Sequence, residues 1–356
     1  MHNNPLQGLL AGLHIEAPNI LSSYERAQEV ERKIERALSE ELSQWVSLDT
    51  SLVVFGSLAR REWTEKSDVD WTYLVDGQAN SDHLTIAQRI KAILAGEFEQ
   101  PNPQGAFASL VFSHDLIHQI GGQEDTNRNT TQRMLLLLES VAVGEKAQAA
   151  YERVIKGVIG RYLEEDSGVT TRDQVRYKVP RFLLNDLARF WRTMAVDFAG
   201  KQRDRGGQGW GLRNLKLRMS RKLLFASGLL TCFGCELDLQ PTRAAATYEE
   251  SRAYLIEYLR KQFRMTPLEL LAYSIRQYGV PEQMVKGLFE SYDQFLGMLN
   301  DPRIRAHLDM LRAEKSSEDI VFGQVQEMSR RFQSSLDAIF FDNELIGPLT
   351  KKYGVF

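Results

Sequence analysis

Apolar residues recur along this chain with two different periods, and the change from one to the other divides it. Leu52 to Phe55 and Trp71 to Val75 are unbroken apolar runs rich in β-branched and aromatic residues, which suit a buried pleated surface, so each reads as a short strand. Ahead of the first, Val30, Ile34, Leu38 and Leu42 fall at helical spacing and predict a helix from Ser22 or Ser23, either able to cap it, to about Val46. Ile86, Ile90, Ile93 and Leu94 predict another, capped by Asp82 and ending near Gly96. Pro101 to Gly105 predicts a turn, Phe107 to His118 a third strand, and the Gly-, Pro- and Asn-bearing residues 1–20 irregular structure.

From Asn127 to about Phe341 the period is helical. Met134 to Leu138 lies in one expected helix, followed by others near 145–163, 171–200 (with a kink or start at Pro180), 211–233, 247–263, 267–278, 282–299 and 302–341, the last broken near Ser316. The expected class is α+β, a small mixed-sheet head with an N-terminal helix over residues 1–145, then a large all-helical domain over 146–356.

Composition narrows the setting. With 43% hydrophobic and 26% charged residues the chain is of ordinary globular type, and at 356 residues it can bury substantial cores. A net charge of −3 gives no whole-chain case for a nucleic-acid partner, so any basic surface must be local. There is no uncharged apolar stretch of membrane-spanning length and no basic segment leading into an apolar core, so the expectation is a cytoplasmic protein without membrane spans or a signal peptide. Cys232 and Cys235 form a lone Cys-Phe-Gly-Cys; with no second soft-ligand pair they read as two buried residues near a helix end.

The chemistry concentrates where the first strand ends. Gly56-Ser57 follows Phe55, and a backbone without a side chain can pass close to a phosphate while its N–H groups point outward. Eleven residues after Ser57, Asp68-Val69-Asp70 leads into the second strand. Residues i and i+2 of an extended chain share a face, so the two carboxylates project side by side and repel unless a divalent cation neutralises them. Such a pair, with metal ions bridging nucleotide phosphates, makes a phosphoryl- or nucleotidyl-transfer site.

The pattern Gly56-Ser57-x-Ala59-Arg60-x-Glu62 followed by Ser67-Asp68-x-Asp70 resembles the signature of the DNA-polymerase-β-type nucleotidyltransferase superfamily, and in its finer spelling the branch of PII-uridylyltransferase-like enzymes. The resemblance implies two Mg²⁺ ions, with Mn²⁺ as a substitute, held by Asp68 and Asp70, and Gly56 and Ser57 gripping the β- and γ-phosphates of an NTP. It further implies a third carboxylate on a strand beside the Asp-x-Asp strand, joining the metal site and deprotonating an acceptor hydroxyl. Asp115 and Asp125 are the candidates, and the setting Ser113-His-Asp-Leu-Ile-His118 favours Asp115. His114 and His118, beside it, could converge on a metal only if the segment were helical; the expectation is structural histidines.

One basic stretch stands out in the helical region. Lys201 to Lys222 holds eight basic residues against one acidic, with Leu212, Leu215, Met219 and Leu223 forming an apolar stripe. Arg213, Lys216 and Ser220 then share an adjacent face, suited to a triphosphate as in related enzymes, or simply a solvated basic face, or a polyanion site. The intervening Gly206 to Gly211 reads as a mobile connection. The implied activity is transfer of an NMP from an NTP to an acceptor hydroxyl with release of pyrophosphate, the acceptor being a protein. The alternatives are an oligonucleotide or cyclic-nucleotide signal synthase, and a catalytically weak nucleotide-sensing interaction protein. Long apolar helices near the C-terminus are compatible with a homodimer.

Overall fold

The computed structural model describes residues 4–42, 45–99, 101, 107–166, 177–204, 206–239 and 248–354. In chain order the elements of the first half are α1 (Pro5–Gly12), α2 (Pro18–Glu41), β1 (Thr50–Phe55), α3 (Gly56–Ala59), β2 (Trp71–Val75), α4 (Ser81–Glu97), β3 (Ser109–Phe112), α5 (Ser113–Ile117), α6 (Asn127–Leu138), β4 (Ser140–Ala142) and α7 (Gln148–Glu165). The rest is helical: α8 (Arg181–Asp204), α9 (Trp210–Lys216) running through a π turn (Leu217–Arg221) into α10 (Lys222–Leu237), then α11 (Tyr248–Phe263), α12 (Pro267–Tyr278), α13 (Glu282–Asn300), α14 (Pro302–Met310), α15 (Ile320–Asp337) and α16 (Ile346–Leu349). The fold is α+β, a small mixed sheet followed by a largely helical region. No helix among the described residues is long and apolar enough to cross a membrane.

By internal contacts the chain forms two compact units, one of residues 23–186 and 241–266, the other of 1–22, 187–240 and 267–356. They do not follow a single cut after residue 145, because α7 and the returning segment with α11 belong with the sheet.

In the sheet unit the strand order is β3-β2-β1-β4. β1 pairs antiparallel with β2 and with β4, and β2 pairs parallel with β3. The strands are apolar on both faces because both are covered. Leu52, Val54, Trp71, Tyr73 and Val75 join Ile34 and Leu38 of α2 and Ile90 and Leu94 of α4 in one core. On the other face Val53, Phe55, Leu74 and Val111 meet Leu116, Leu135 and Leu136, around a residual cavity of about 20 Å³. Along α7 and α11 the ion pairs Arg260–Glu152 (3.2 Å) and Arg252–Glu164 (2.7 Å) tie the returning segment down.

Several expectations shift at element ends. The helix expected from Ser22 starts at Pro18, the next is capped by Asn80 rather than Asp82, and Pro180 marks a start. The third strand stops at Phe112, and Ser113–Ile117 turns into a helix. Residues 4–20, the described part of the stretch expected to be irregular, hold α1 and the start of α2; Asn4 caps α1 by accepting from Leu6 N at 2.9 Å and Pro5 sits at the first helical position, where its missing N–H costs nothing. The expected helix over 171–176 and the turn over 102–105 lie outside the described residues.

In the helical unit the glycine-rich segment is docked. Gly209 N–H donates to Asp309 O at 2.8 Å and Gly211 N–H to Leu311 O at 3.2 Å. A Cβ on Gly211 would lie 2.7 Å from Leu308 O, so only glycine permits this approach to α14. Cys232 and Cys235 are buried free thiols, and burial pushes both up from the ordinary thiol range.

Candidate functional site

The stretch from the end of β1 to the start of β2 is a hydrogen-bonded platform. Phe55 N–H donates to Asp70 O (2.9 Å), extending the β1–β2 ladder by one pair. Arg60 N–H donates to Gly56 O (3.0 Å), Glu62 N–H to Ser57 O (2.8 Å) and Ser67 N–H to Thr64 O (2.9 Å). Thr64 N–H also donates to Ser67 Oγ at 3.1 Å. Trp63, at 7% exposure, belongs to the apolar core and anchors the loop. Val69 is fully buried between exposed Asp68 and half-buried Asp70, so the two carboxylates lie on the side away from the core.

Gly56 faces Asp70 directly. Its φ of +66° is the left-handed region, and a Cβ there would stand 2.9 Å from Asp70 Oδ2. The absent side chain thus opens the space in which the carboxylate sits, and Ser57, half-buried, follows at the first turn of α3. Arg60 and Glu62 form a buried ion triad with Glu139, just before β4. Arg60 Nε donates to Glu62 Oε2 at 2.8 Å, and its Nη1 pairs with Glu139 Oε2. The guanidinium ties the loop to the strand that flanks β1 on the side away from β2. The sequence flagged Arg60 and Glu62 only as part of a motif; Glu139, a lone acid ending an apolar run, was the missed partner.

The third carboxylate is where the structure departs from expectation. β2 and β3 run in register with Thr72 opposite Ser109 and Val75 opposite Phe112. Asp70 precedes β2, whereas Asp115 lies on α5 beyond the opposite end, a strand length of roughly 15 Å away. Asp115 is therefore not brought to Asp68 and Asp70. Its physical reason is local, since the chain turns into α5 as soon as β3 ends. Asp125 is committed elsewhere, in a bidentate pair with buried Arg133 (2.8 Å to each oxygen) that also meets Asp186 at 3.2 Å. Ahead of β3, Ala108 takes a left-handed φ of +55° and Phe107 packs its ring 5.3 Å from that of Phe55. Among the described residues no three His, Cys, Asp or Glu side chains converge on one point.

Asp68 and Asp70 remain as a pair of hard oxygen donors beside a glycine cradle. That donor set fits Mg²⁺, which takes one or two carboxylates and completes its shell with water and substrate phosphate.

Arg213, Lys216 and Ser220 belong to the helical unit. The π turn inserts an extra residue per turn, so the face expected from straight helical spacing breaks at Ser220. Ser220 is buried and its hydroxyl donates to Lys216 O at 3.2 Å, while Arg213 and Lys216 are partly exposed and Arg213 Nη2 donates to Gln208 O at 2.7 Å.

Residues 31–99 match the family described as a nucleotidyltransferase domain. The matched segment runs from within α2 to just past α4, holds Gly56, Ser57, Asp68 and Asp70, and excludes Asp115, Asp125 and the 213–220 stretch. It supports the polymerase-β-type superfamily and nucleotidyl transfer as the chemistry of this segment. No curated protein matches the chain.

Proposed function

We propose that the sheet unit transfers an NMP from an NTP to a protein hydroxyl, in the manner of PII-uridylyltransferase-like enzymes. The observation that carries this reading is Asp70 held against Gly56, whose missing side chain leaves the carboxylate its place, with Asp68 two residues before it. Asp68 and Asp70 would hold Mg²⁺, which on binding neutralises phosphate charge and stabilises the leaving group. Gly56 and Ser57 present backbone to the β- and γ-phosphates, and the hydrogen-bonded loop from Gly56 to Ser67 keeps both carboxylates in place without reorganisation. The acceptor oxygen attacks the α-phosphorus, the bond to the bridging α–β oxygen breaks, and pyrophosphate departs with the electron pair. The acceptor proton passes to water. Positioning and charge neutralisation carry most of the barrier reduction in such a transfer.

A second reading has its own observation. Asp115 lies at the far end of β3 and Asp125 is taken by Arg133, so neither candidate third carboxylate joins the pair, which favours slow turnover and a nucleotide-sensing role. One experiment separates the two. Each α-³²P-NTP is incubated with the protein and Mg²⁺ or Mn²⁺, with and without cell lysate, beside Asp68→Ala and Asp70→Ala. The proposal expects label on a protein band, reduced at least about a thousandfold in either variant, with unchanged far-UV circular dichroism. A small labelled product formed without lysate would instead identify a signal synthase. NTP binding without transfer would establish the sensor. Transfer surviving both substitutions would overturn the site.

A further inference from the structure

α5 carries a second cluster of chemistry-bearing side chains that the Asp68/Asp70 site does not use. The sequence condition for convergence of His114 and His118 was helical geometry, and the segment is helical: His118 N–H donates to His114 O at 2.9 Å, closing one α-turn between them. The two imidazoles stand on the same side of that turn with ring centroids 5.1 Å apart and planes at 44°. Two imidazoles bound to one tetrahedral ion, with metal–nitrogen bonds of about 2.0–2.1 Å and ring nitrogens about 1.1 Å from the ring centre, have centroids about 5.2 Å apart. The observed separation matches.

Three further features suit a ligand site. Both histidines are exposed, whereas Leu116 between them is buried and Ile117 packs on α7, where a Cβ on Gly157 would lie 2.8 Å from Ile117 Cδ1. The helix is thus pinned by one face and offers the other. Asp115 Oδ1 lies 3.5 Å from His114 Nδ1, and Gln119 Nε2 donates to the same oxygen at 3.4 Å. The carboxylate thus lies on the Nδ1 side of the ring and leaves Nε2 as the donor; closing to hydrogen-bond distance would give the arrangement that commonly backs a metal-bound histidine. Gln119 is in turn held by Asn129, whose Nδ2 donates to it at 2.6 Å.

We propose that His114 and His118 bind one first-row transition-metal cation of the Zn²⁺ class, with Asp115 as a positioning residue and water completing the shell. Imidazole donors select such ions over Mg²⁺, so this site and the Asp68/Asp70 pair, at opposite ends of β2, take different metals. The proposal does not depend on the transfer activity.

The test is calorimetric titration of the full, untagged chain with Zn²⁺, and ¹H–¹⁵N spectra of the histidine rings during the titration. Wild type and the Asp68→Ala/Asp70→Ala double variant are expected to take up one equivalent and to shift the ring signals of His114 and His118 together. His114→Ala and His118→Ala should each weaken binding at least tenfold while keeping the metal-free circular dichroism of wild type. Asp115→Asn should weaken it by about tenfold or more. Absence of saturable Zn²⁺ binding in wild type, or equal binding in either histidine variant, would overturn the proposal.

Discussion

At residue scale the site depends on a side chain that is missing. Alanine at position 56 would have to hold a left-handed conformation, at a cost of about 1–2 kcal/mol, and push its methyl group against Asp70 Oδ2. Gly56→Ala is expected to lower the urea midpoint modestly and to lower transfer activity at least tenfold, because the displaced carboxylate is a proposed metal ligand. Equal losses of stability and activity in a variant remote from the pair would mark the effect as general. This part of the molecule was legible in the sequence, because Gly-Ser and Asp-x-Asp are local patterns whose strand context is also local. The fate of the other acids was not. Asp125 is taken by Arg133, a buried residue whose partner choice is tertiary, and Arg60 reaches Glu139 across 79 positions. The short β3, which ends at Phe112 and sends Asp115 to the far end of the sheet, is likewise not specified by a run of strand formers from Phe107 to His118.

At element scale, periodicity located most helices but could not see where a helix departs from 3.6 residues per turn. The π turn at Leu217–Arg221 buries Ser220 and brings Lys222 into a half-buried position, where its ammonium donates to the neutral Gln333. Loss of hydration, and then the nearby Arg218 charge, lower the Lys222 pKa below its ordinary 10.5. The sign follows from linkage. Below the folded-state pKa the lysine is charged in both states and folding carries the whole desolvation penalty; the penalty shrinks above it and vanishes once pH exceeds 10.5, where both states are neutral. Lys222→Met should therefore raise the thermal midpoint at neutral pH, with the gain falling as pH approaches 10.5. Thermal melts from pH 7 to 10.5 check this, and a gain independent of pH would refute the titration argument. The α1 cap shows the opposite case, a signal present in Asn4-Pro5 but outweighed by the glycines and prolines around it.

At the scale of the whole molecule, the sheet unit is larger than its motif. β1 packs under α7, whose Tyr151, Val154, Ile155, Val158, Ile159 and Tyr162 are buried, and α7 is in turn tied to α11 from the returning segment. A fragment of residues 1–145 would expose that apolar surface, so it is expected to be insoluble or to bind a hydrophobic dye. A fusion of 23–186 to 241–266 through a flexible linker should show the cooperative melt that the shorter fragment lacks. A cooperative melt for 1–145 alone would show that α7 is dispensable.

The interleaving of segments also sets an order of events during synthesis. Residues 1–22 belong with residues 267–356, and Asn4 reaches Glu269 at 2.7 Å. Residues 1–22 therefore leave the ribosome well before residues 267–356, the last quarter of the sequence, and cannot dock until these emerge. The sheet unit likewise stays open until residue 266 has emerged. At ~5–20 residues per second, the wait from residue 22 to residue 267 lasts roughly 10–50 s and that from 186 to 266 roughly 4–16 s, so apolar faces of both units stay uncovered for seconds to tens of seconds on the nascent chain. Such a topology makes the protein a natural client for ribosome-associated chaperones, however stable its finished fold.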